Sequence, residues 1–203
     1  MTKAQLIAKF NLYTDDSTEL SDSETSDLFD KVYRDICVFK PWEFTKSAHT
    51  ATVSGTTTSL PSDFLSLTKN ANYTDNRNYA SDPVVFVGSV YTAFKVVNWS
   101  DRRQYNGATG YAYLDIPNSN LVFTASISDT VEFDYQRQMP ALASSESPAF
   151  PEEFHMIIPH AMAVDEMMIE LFEKARSYAD ENEAKYNYYL GQMSVWNARL
   201  LNL

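Results

Sequence analysis

Apolar residues recur with two different periods along this chain, helical at both ends and strand-like between. Ala4, Leu6, Ile7 and Phe10 have helical spacing over a short first stretch. A polar link from Thr14 to Leu20 follows. Ser21-Asp-Ser-Glu24 then has capping-box form, in which the Ser hydroxyl and the Glu carboxylate each satisfy the other residue's backbone N–H. Behind it Leu28, Phe29, Val32, Tyr33, Ile36 and Phe39 mark one buried helix face, and Pro41 stops the helix. Near the other end Phe154, Ile157, Ile158, Ala161, Met168, Leu171, Phe172 and Ala175 trace a second helix, with Pro159 kinking it or marking its true start. A third begins near Tyr178, with Asp180, Glu181 and Glu183 suited to the positive end of its dipole and Tyr186, Tyr189, Leu190, Met193, Trp196 and Leu200 as its apolar stripe. The short connection predicts an antiparallel helical hairpin.

Between these helices the period is two. His49 to Val53 and Thr57 to Leu60 flank Ser54-Gly55, which reads as a hairpin turn. Pro61-Ser-Asp-Phe64 reads as another turn ahead of Leu65 to Thr68, and Pro83 to Val87 is a short β-rich run. Tyr91, Phe94 and Val97 fit a short helix or a strand, and their spacing favours the helix. Tyr111 to Ile116 and Leu121 to Thr124 flank Pro117-Asn-Ser-Asn in a hairpin pattern. Val131, Phe133 and Tyr135 alternate with Glu132, Asp134 and Gln136, so one face of that strand is wet. Met139 to Phe150, rich in Ser and Pro, reads as a linker. The expected fold is therefore α+β. The N- and C-terminal helices (1–44 and 151–203) form one bundle, an antiparallel β region (45–138) is inserted, and a linker covers 139–150.

Composition narrows the function more by exclusion than by signal. The net charge is -11, and no Lys or Arg lies between Leu12 and Asp30. A protein that grips phosphates carries a basic patch; Arg102-Arg103, in a loop-like stretch, is the nearest thing to one. The single cysteine excludes an internal disulfide. No secretory core or membrane-length apolar run is present, so the expectation is synthesis in a cytoplasm with no membrane contact. His155 and His160 are five residues apart, about 140° around a helix, and do not form a metal pair; His49 is far away in sequence. Each reads as a satisfied structural histidine, and Cys37, between Ile36 and Val38, as inert packing. No nucleophile elbow, phosphate loop or dinucleotide fingerprint occurs. The expectation is no catalysis, no cofactor and no metal.

Several short stretches in order, however, resemble a known family. Phe39-Lys-Pro-Trp-Glu-Phe44 leads to Ser59-Leu-Pro-Ser-Asp-Phe-Leu65; Gly110 precedes Tyr111-Ala-Tyr-Leu-Asp-Ile-Pro117; Val131-Glu-Phe-Asp-Tyr135 precedes Met139-Pro-Ala-Leu142; and Pro148-Ala-Phe-Pro-Glu-Glu-Phe-His155 enters the C-terminal helices. Together they resemble the head-to-tail adaptor (connector) proteins that dock below the portal in tailed phages. Asn70 to Arg103 matches poorly. The resemblance implies a virion protein that forms a homo-oligomeric ring, typically dodecameric. Its partners are the portal protein and further tail or adaptor proteins, and DNA passes through the lumen without specific binding. A conduit must let DNA slide, so its wall should not neutralise phosphates; Asp129, Glu132 and Asp134 are the candidate lumen-facing acids. Met139–Pro148 and the Asn70–Arg103 stretch are the candidate contacts between copies. The alternative is a tail-associated carbohydrate- or surface-binding β module that exposes Tyr73, Tyr79, Tyr91, Trp99, Tyr105, Tyr111 and Tyr113.

Overall fold

Two capping boxes start the N-terminal helices. In the first, the Gln5 N–H donates to the Thr2 hydroxyl at 3.4 Å and the Thr2 N–H donates to the Gln5 side chain at 2.9 Å, opening α1 (Lys3–Tyr13). In the second, the Glu24 N–H donates to Ser21 Oγ at 3.3 Å and the Ser21 N–H to the Glu24 carboxylate at 2.8 Å, opening α2 (Asp22–Val38). Each box satisfies donors that a helix start leaves without an intrahelical acceptor. The computed structural model describes residues 1–14, 20–68, 83–169 and 173–200; Asp15, Asp16 and Glu19 of the acidic link lie outside the described residues.

The buried face of α2 holds Phe29, Val32, Tyr33, Ile36 and Cys37, with Leu28 partly buried beside it. Phe39, expected on the same face, is instead exposed. The helix ends at Val38, and Phe39 caps it with helical backbone angles, φ -55° and ψ -35°. Trp42 is fully buried instead, and its indole N–H donates at 2.7 Å to the Ile36 carbonyl, which also accepts the Phe39 N–H at 3.4 Å.

At the other end α3 (Ile157–Ile169) carries Pro159 in its first turn, where a missing N–H removes no helical bond. The helix α4 runs Glu173–Leu200 and so begins before the expected Tyr178. Glu173-Lys-Ala-Arg are good helix formers, and neither Gly nor Pro interrupts them; the acidic residues at 180–183 lie inside the helix. Phe154, Ile157 and Ile158 are buried, as are Leu190 and Met193 of α4. Trp196 is half-buried against Phe44 and Phe154, and Leu200 is exposed. The side chains of Met168, Leu171, Phe172 and Ala175 lie outside the described residues.

The stretch 139–150 is neither helix nor strand, yet it is fastened along its length. Lys3 and Ala4 donate their N–H groups to the Glu146 and Ser144 carbonyls at 2.8 and 3.0 Å, the Ala149 N–H donates to the Tyr33 hydroxyl, and Met139 and Phe150 are buried in the helical core. Two of α1's otherwise open N-terminal donors are used in this way. The chain forms two compact units: Met1–Thr45 with Met139–Leu203, and Lys46–Gln138.

The second unit is a six-stranded sheet around one long strand. β1 (Lys46–Ser59) pairs antiparallel with β6 (Asn120–Arg137) over its whole length. Ser54-Gly55 is therefore not a hairpin turn. Gly55 pairs with Ile127 and Thr57 with Val122, and the jump in register marks an irregularity where Gly55 adopts φ 127°. A turn and a bulge both draw on glycine's freedom and share one sequence signature. β2 (Phe64–Leu67) pairs with the end of β6, and β3 (Val84–Val87) with its middle. Tyr91, Phe94 and Val97 are not helical: β4 (Thr92–Val97) pairs antiparallel with β3, and Tyr91 is in the turn between them. Thr92, Val96 and Val97 are β-branched, and pairing with β3 overrides their three-residue spacing. β5 (Tyr111–Asp115) pairs parallel with β4 and forms the expected hairpin with β6. The pairings β6–β3–β4–β5–β6 thus close a circuit around Val85, Phe123, Val131 and Phe133.

Candidate assembly surfaces

Cys37 and the three histidines are engaged in packing. Cys37 is 3% exposed, and burial pushes its thiol up to about 12, so it is not a thiolate at neutral pH. A His155 ring nitrogen lies 2.9 Å from the Phe150 carbonyl and the other 2.9 Å from the Met1 amino group. His160 Nδ1 lies 2.8 Å from the Asn182 side-chain oxygen, and the ring is stacked between Tyr13 and Tyr189. Burial is the main cause that holds both imidazoles below their ordinary range. His49 packs on Phe133. Among the described residues no cluster of His, Cys, Asp or Glu could hold a metal ion, and no helix is long and apolar enough to cross a membrane.

The three candidate acids all lie on β6 but do not share a face. Glu132 pairs with Thr50 and Asp134 with Ala48, on the side away from the sheet core. Asp129 pairs with buried Val53 and falls, by the strand's two-residue alternation, on the side of Val131 and Phe133. Asp129 is exposed there at the rim, and its carboxylate sits against Gly88. A Cβ added at Gly88 would come within 2.7 Å of Asp129 Oδ2, and Gly88 has φ 76°, so the turn needs glycine on both counts.

That turn, Gly88-Ser-Val-Tyr91, was not singled out by sequence. The Tyr91 N–H closes it onto the Gly88 carbonyl at 3.0 Å. Val90 at its apex is 82% exposed and Tyr91 58%. Tyr91 has φ 52°, an uncommon conformation for an aromatic residue, and its ring leans edge-on against Phe86. A glycine between two β-rich runs was the available signal.

At the far end of β4 is a groove of about 470 Å³. Its apolar wall includes Pro83, Val96, Trp99, Tyr105, Leu114 and Ile116, with Lys95 and Asp101 among its polar lining. Arg102 and Arg103 belong not to a plain loop but to a 3-10 helix, Trp99–Tyr105. The Arg102 guanidinium lies 3.8 Å from the Trp99 ring centre and donates to the Trp99 carbonyl. The aromatics here pack on one another: Trp99 on Tyr113 and Tyr105 on Tyr111. Tyr73 and Tyr79 lie outside the described residues.

No curated protein matches the chain. One family model does, described as SU10 adaptor protein, and it runs over residues 1–200, through both the helical unit and the sheet that interrupts it. The chain belongs to the SU10 adaptor family, and it is a phage structural adaptor protein, a component of the virion.

Proposed function

We propose that copies of this chain form a ring at the head–tail interface that joins the portal to the tail and continues the DNA conduit. Family membership over residues 1–200 is the observation that carries this reading. The charge supports it. The helical unit contains nineteen Asp and Glu against nine Lys and Arg, a net -10, whereas the sheet unit contains eight against seven, a net -1. Repeated around a ring, the helical unit would repel a duplex from almost any face it turned inward. The sheet unit would do so only through a selected face, and the Glu132–Asp134 side of β6 is that face. Asp129 looks the other way and does not join it.

The alternative, a carbohydrate-binding module, needs aromatic rings free for stacking. Arg102 lies against the Trp99 ring, and Tyr105 and Tyr111 pack on each other, which favours the adaptor reading. Negative-stain microscopy of the purified chain mixed with its portal protein is expected to show stacked rings; a bare portal beside a monomer would overturn the proposal. For the wall, Glu132→Lys with Asp134→Lys adds two phosphate contacts per copy. Ejection from single particles should then slow at low salt and recover as salt rises, because each such contact adds about 0.9 to the salt slope of binding. Ejection identical to the parent at low salt would remove these residues from the wall.

A further inference from the structure

We infer that the cavity between the 3-10 helix Trp99–Tyr105 and the β5–β6 hairpin binds a phosphate group, held by Arg102 and Arg103. The inference goes beyond the ring reading and does not depend on it.

The cavity has a volume of about 240 Å³ and is lined by Arg102, Arg103, Asn106, Tyr113, Phe123 and Thr124. Its floor is fixed by the sheet. Tyr113 and Phe123 stand on the paired strands β5 and β6, and Phe123 and Thr124 are buried. The segment after the 3-10 helix is tied to the same floor. The Gly107 N–H donates to the Thr124 carbonyl at 2.8 Å, and the Thr124 hydroxyl donates to the Ala108 carbonyl at 2.6 Å. A 3-10 helix repeats every three residues, so Arg103 and Asn106 come to one side of it.

The charge of this cavity runs against that of the chain. There are 27 Asp and Glu against 16 Lys and Arg, yet among the described residues no carboxylate lines it. The groove at the far end of β4 balances Lys95 with Asp101, and the cleft beside Val32 and Tyr186 presents Asp35 and Asp165. Asp101 precedes the two arginines in sequence, but it lines that groove, and its Oδ1 accepts from the Ser100 hydroxyl. Two guanidinium groups on one small cavity repel each other, and the apolar floor at Phe123 weakens the screening of that repulsion. An anion between them turns the repulsion into two attractions.

The donors select phosphate over carboxylate. The Arg102 guanidinium is held over the Trp99 ring and donates to the Trp99 carbonyl, which leaves the rest of its N–H fork for a ligand. Arg103 is exposed, and among the described residues no hydrogen bond or ion pair engages its side chain. One such fork suffices for a carboxylate. A phosphate monoester carries a charge of about -1.5 to -2 and three acceptor oxygens, which match two guanidinium groups and the Asn106 amide. The same group reaches the cavity either as free phosphate or a monoester, or as the backbone of DNA.

The test is calorimetric titration of the full chain with sodium phosphate at constant ionic strength. Saturable binding is expected. Arg102→Gln and Arg103→Gln are each expected to weaken it at least about ten-fold, the loss of one charge-assisted contact. Arg103→Lys should keep part of the affinity. Exposed Arg103 has no described partner to lose, so the melting temperature of its variants should equal the parent's, which separates lost binding from lost fold. No saturation by about 10 mM phosphate, an equal response to acetate, or an affinity unchanged in both glutamine variants would overturn the inference. A short DNA duplex then distinguishes the sources. A duplex that displaces phosphate assigns the site to the DNA backbone, and one that leaves phosphate bound assigns it to free phosphate or a monoester.

Discussion

Lys3 of α1 is 4% exposed, an unusual place for a lysine, and its ammonium lies 2.8 Å from the Asp30 carboxylate of α2 and 5.2 Å from the centre of the Phe29 ring. Asp30 Oδ1 also accepts from the Leu142 N–H at 3.4 Å, so the pair joins α1, α2 and the stretch 139–150. With an effective dielectric constant near 20, two charges at that distance attract by about 6 kcal/mol. Desolvating two ions costs several kcal/mol each, so the intact pair contributes little net stability. Breaking it is different. Lys3→Met fills the same volume but leaves Asp30 buried with one long hydrogen bond, and should cost about 3–5 kcal/mol. That is a large part of the total stability of an ordinary domain, about 5–15 kcal/mol. Adding Asp30→Leu removes the stranded charge, and the double variant should return to within about 1 kcal/mol of the parent. Urea unfolding at neutral pH measures the parent, Lys3→Met, Asp30→Leu and the double variant. In a Trp99→Phe background, fluorescence reports Trp42 and Trp196, both in the helical unit. A single variant costing less than about 1 kcal/mol, or a double variant as unstable as the sum of the singles, would refute the reasoning.

Three further outcomes follow from burial and backbone geometry. Trp42→Ala should cost about 3–5 kcal/mol, because the side chain is fully buried and its N–H is bonded; half-buried Trp196→Ala should cost less than that range, and urea curves that reverse the order would show that the two are wrongly placed. Gly88→Ala should cost about 1–2 kcal/mol from its left-handed backbone alone, and Asp129→Ala should relieve only the added crowding; an unchanged melting temperature for Gly88→Ala would count against the turn geometry. His160 is held below its ordinary value of 6.5 mainly by burial, so the unfolded chain binds its proton first. Stability should therefore be full above about pH 6.5 and fall as the pH drops through 6.5 toward the folded value. His160→Gln should flatten part of that fall, leaving the share of His155; identical pH profiles for parent and variant would refute it.

What the sequence determined by itself was whatever local chemistry decides. The Ser21 capping box, the Pro117-Asn-Ser-Asn hairpin and the alternation at Val131–Tyr135 each depend on neighbours a few residues away, and each is found as read; Pro159, read as a kink or a helix start, is the third residue of α3, and Gln136, read on the wet face, is buried. The order of short motifs carried the family resemblance, because order and spacing are properties of the chain. Where the reading failed, a partner distant in sequence made the decision. Ser54-Gly55 looked like a turn until thirteen residues of β6 paired along β1 through it. Tyr91, Phe94 and Val97 had helical spacing, but Phe94 pairs with Val85 and Val97 with Tyr113, which makes strand of both, and Tyr91 is in the turn before them. Phe39 continued an apolar stripe, yet it is exposed at the helix end, and Trp42 is the buried aromatic. The Gly88–Tyr91 turn and the groove could not be found from periodicity, because a surface is assembled from segments whose sequence positions say nothing of their distance. Only the tertiary structure sets which side chains are left exposed, because exposure depends on which distant segments pack over them.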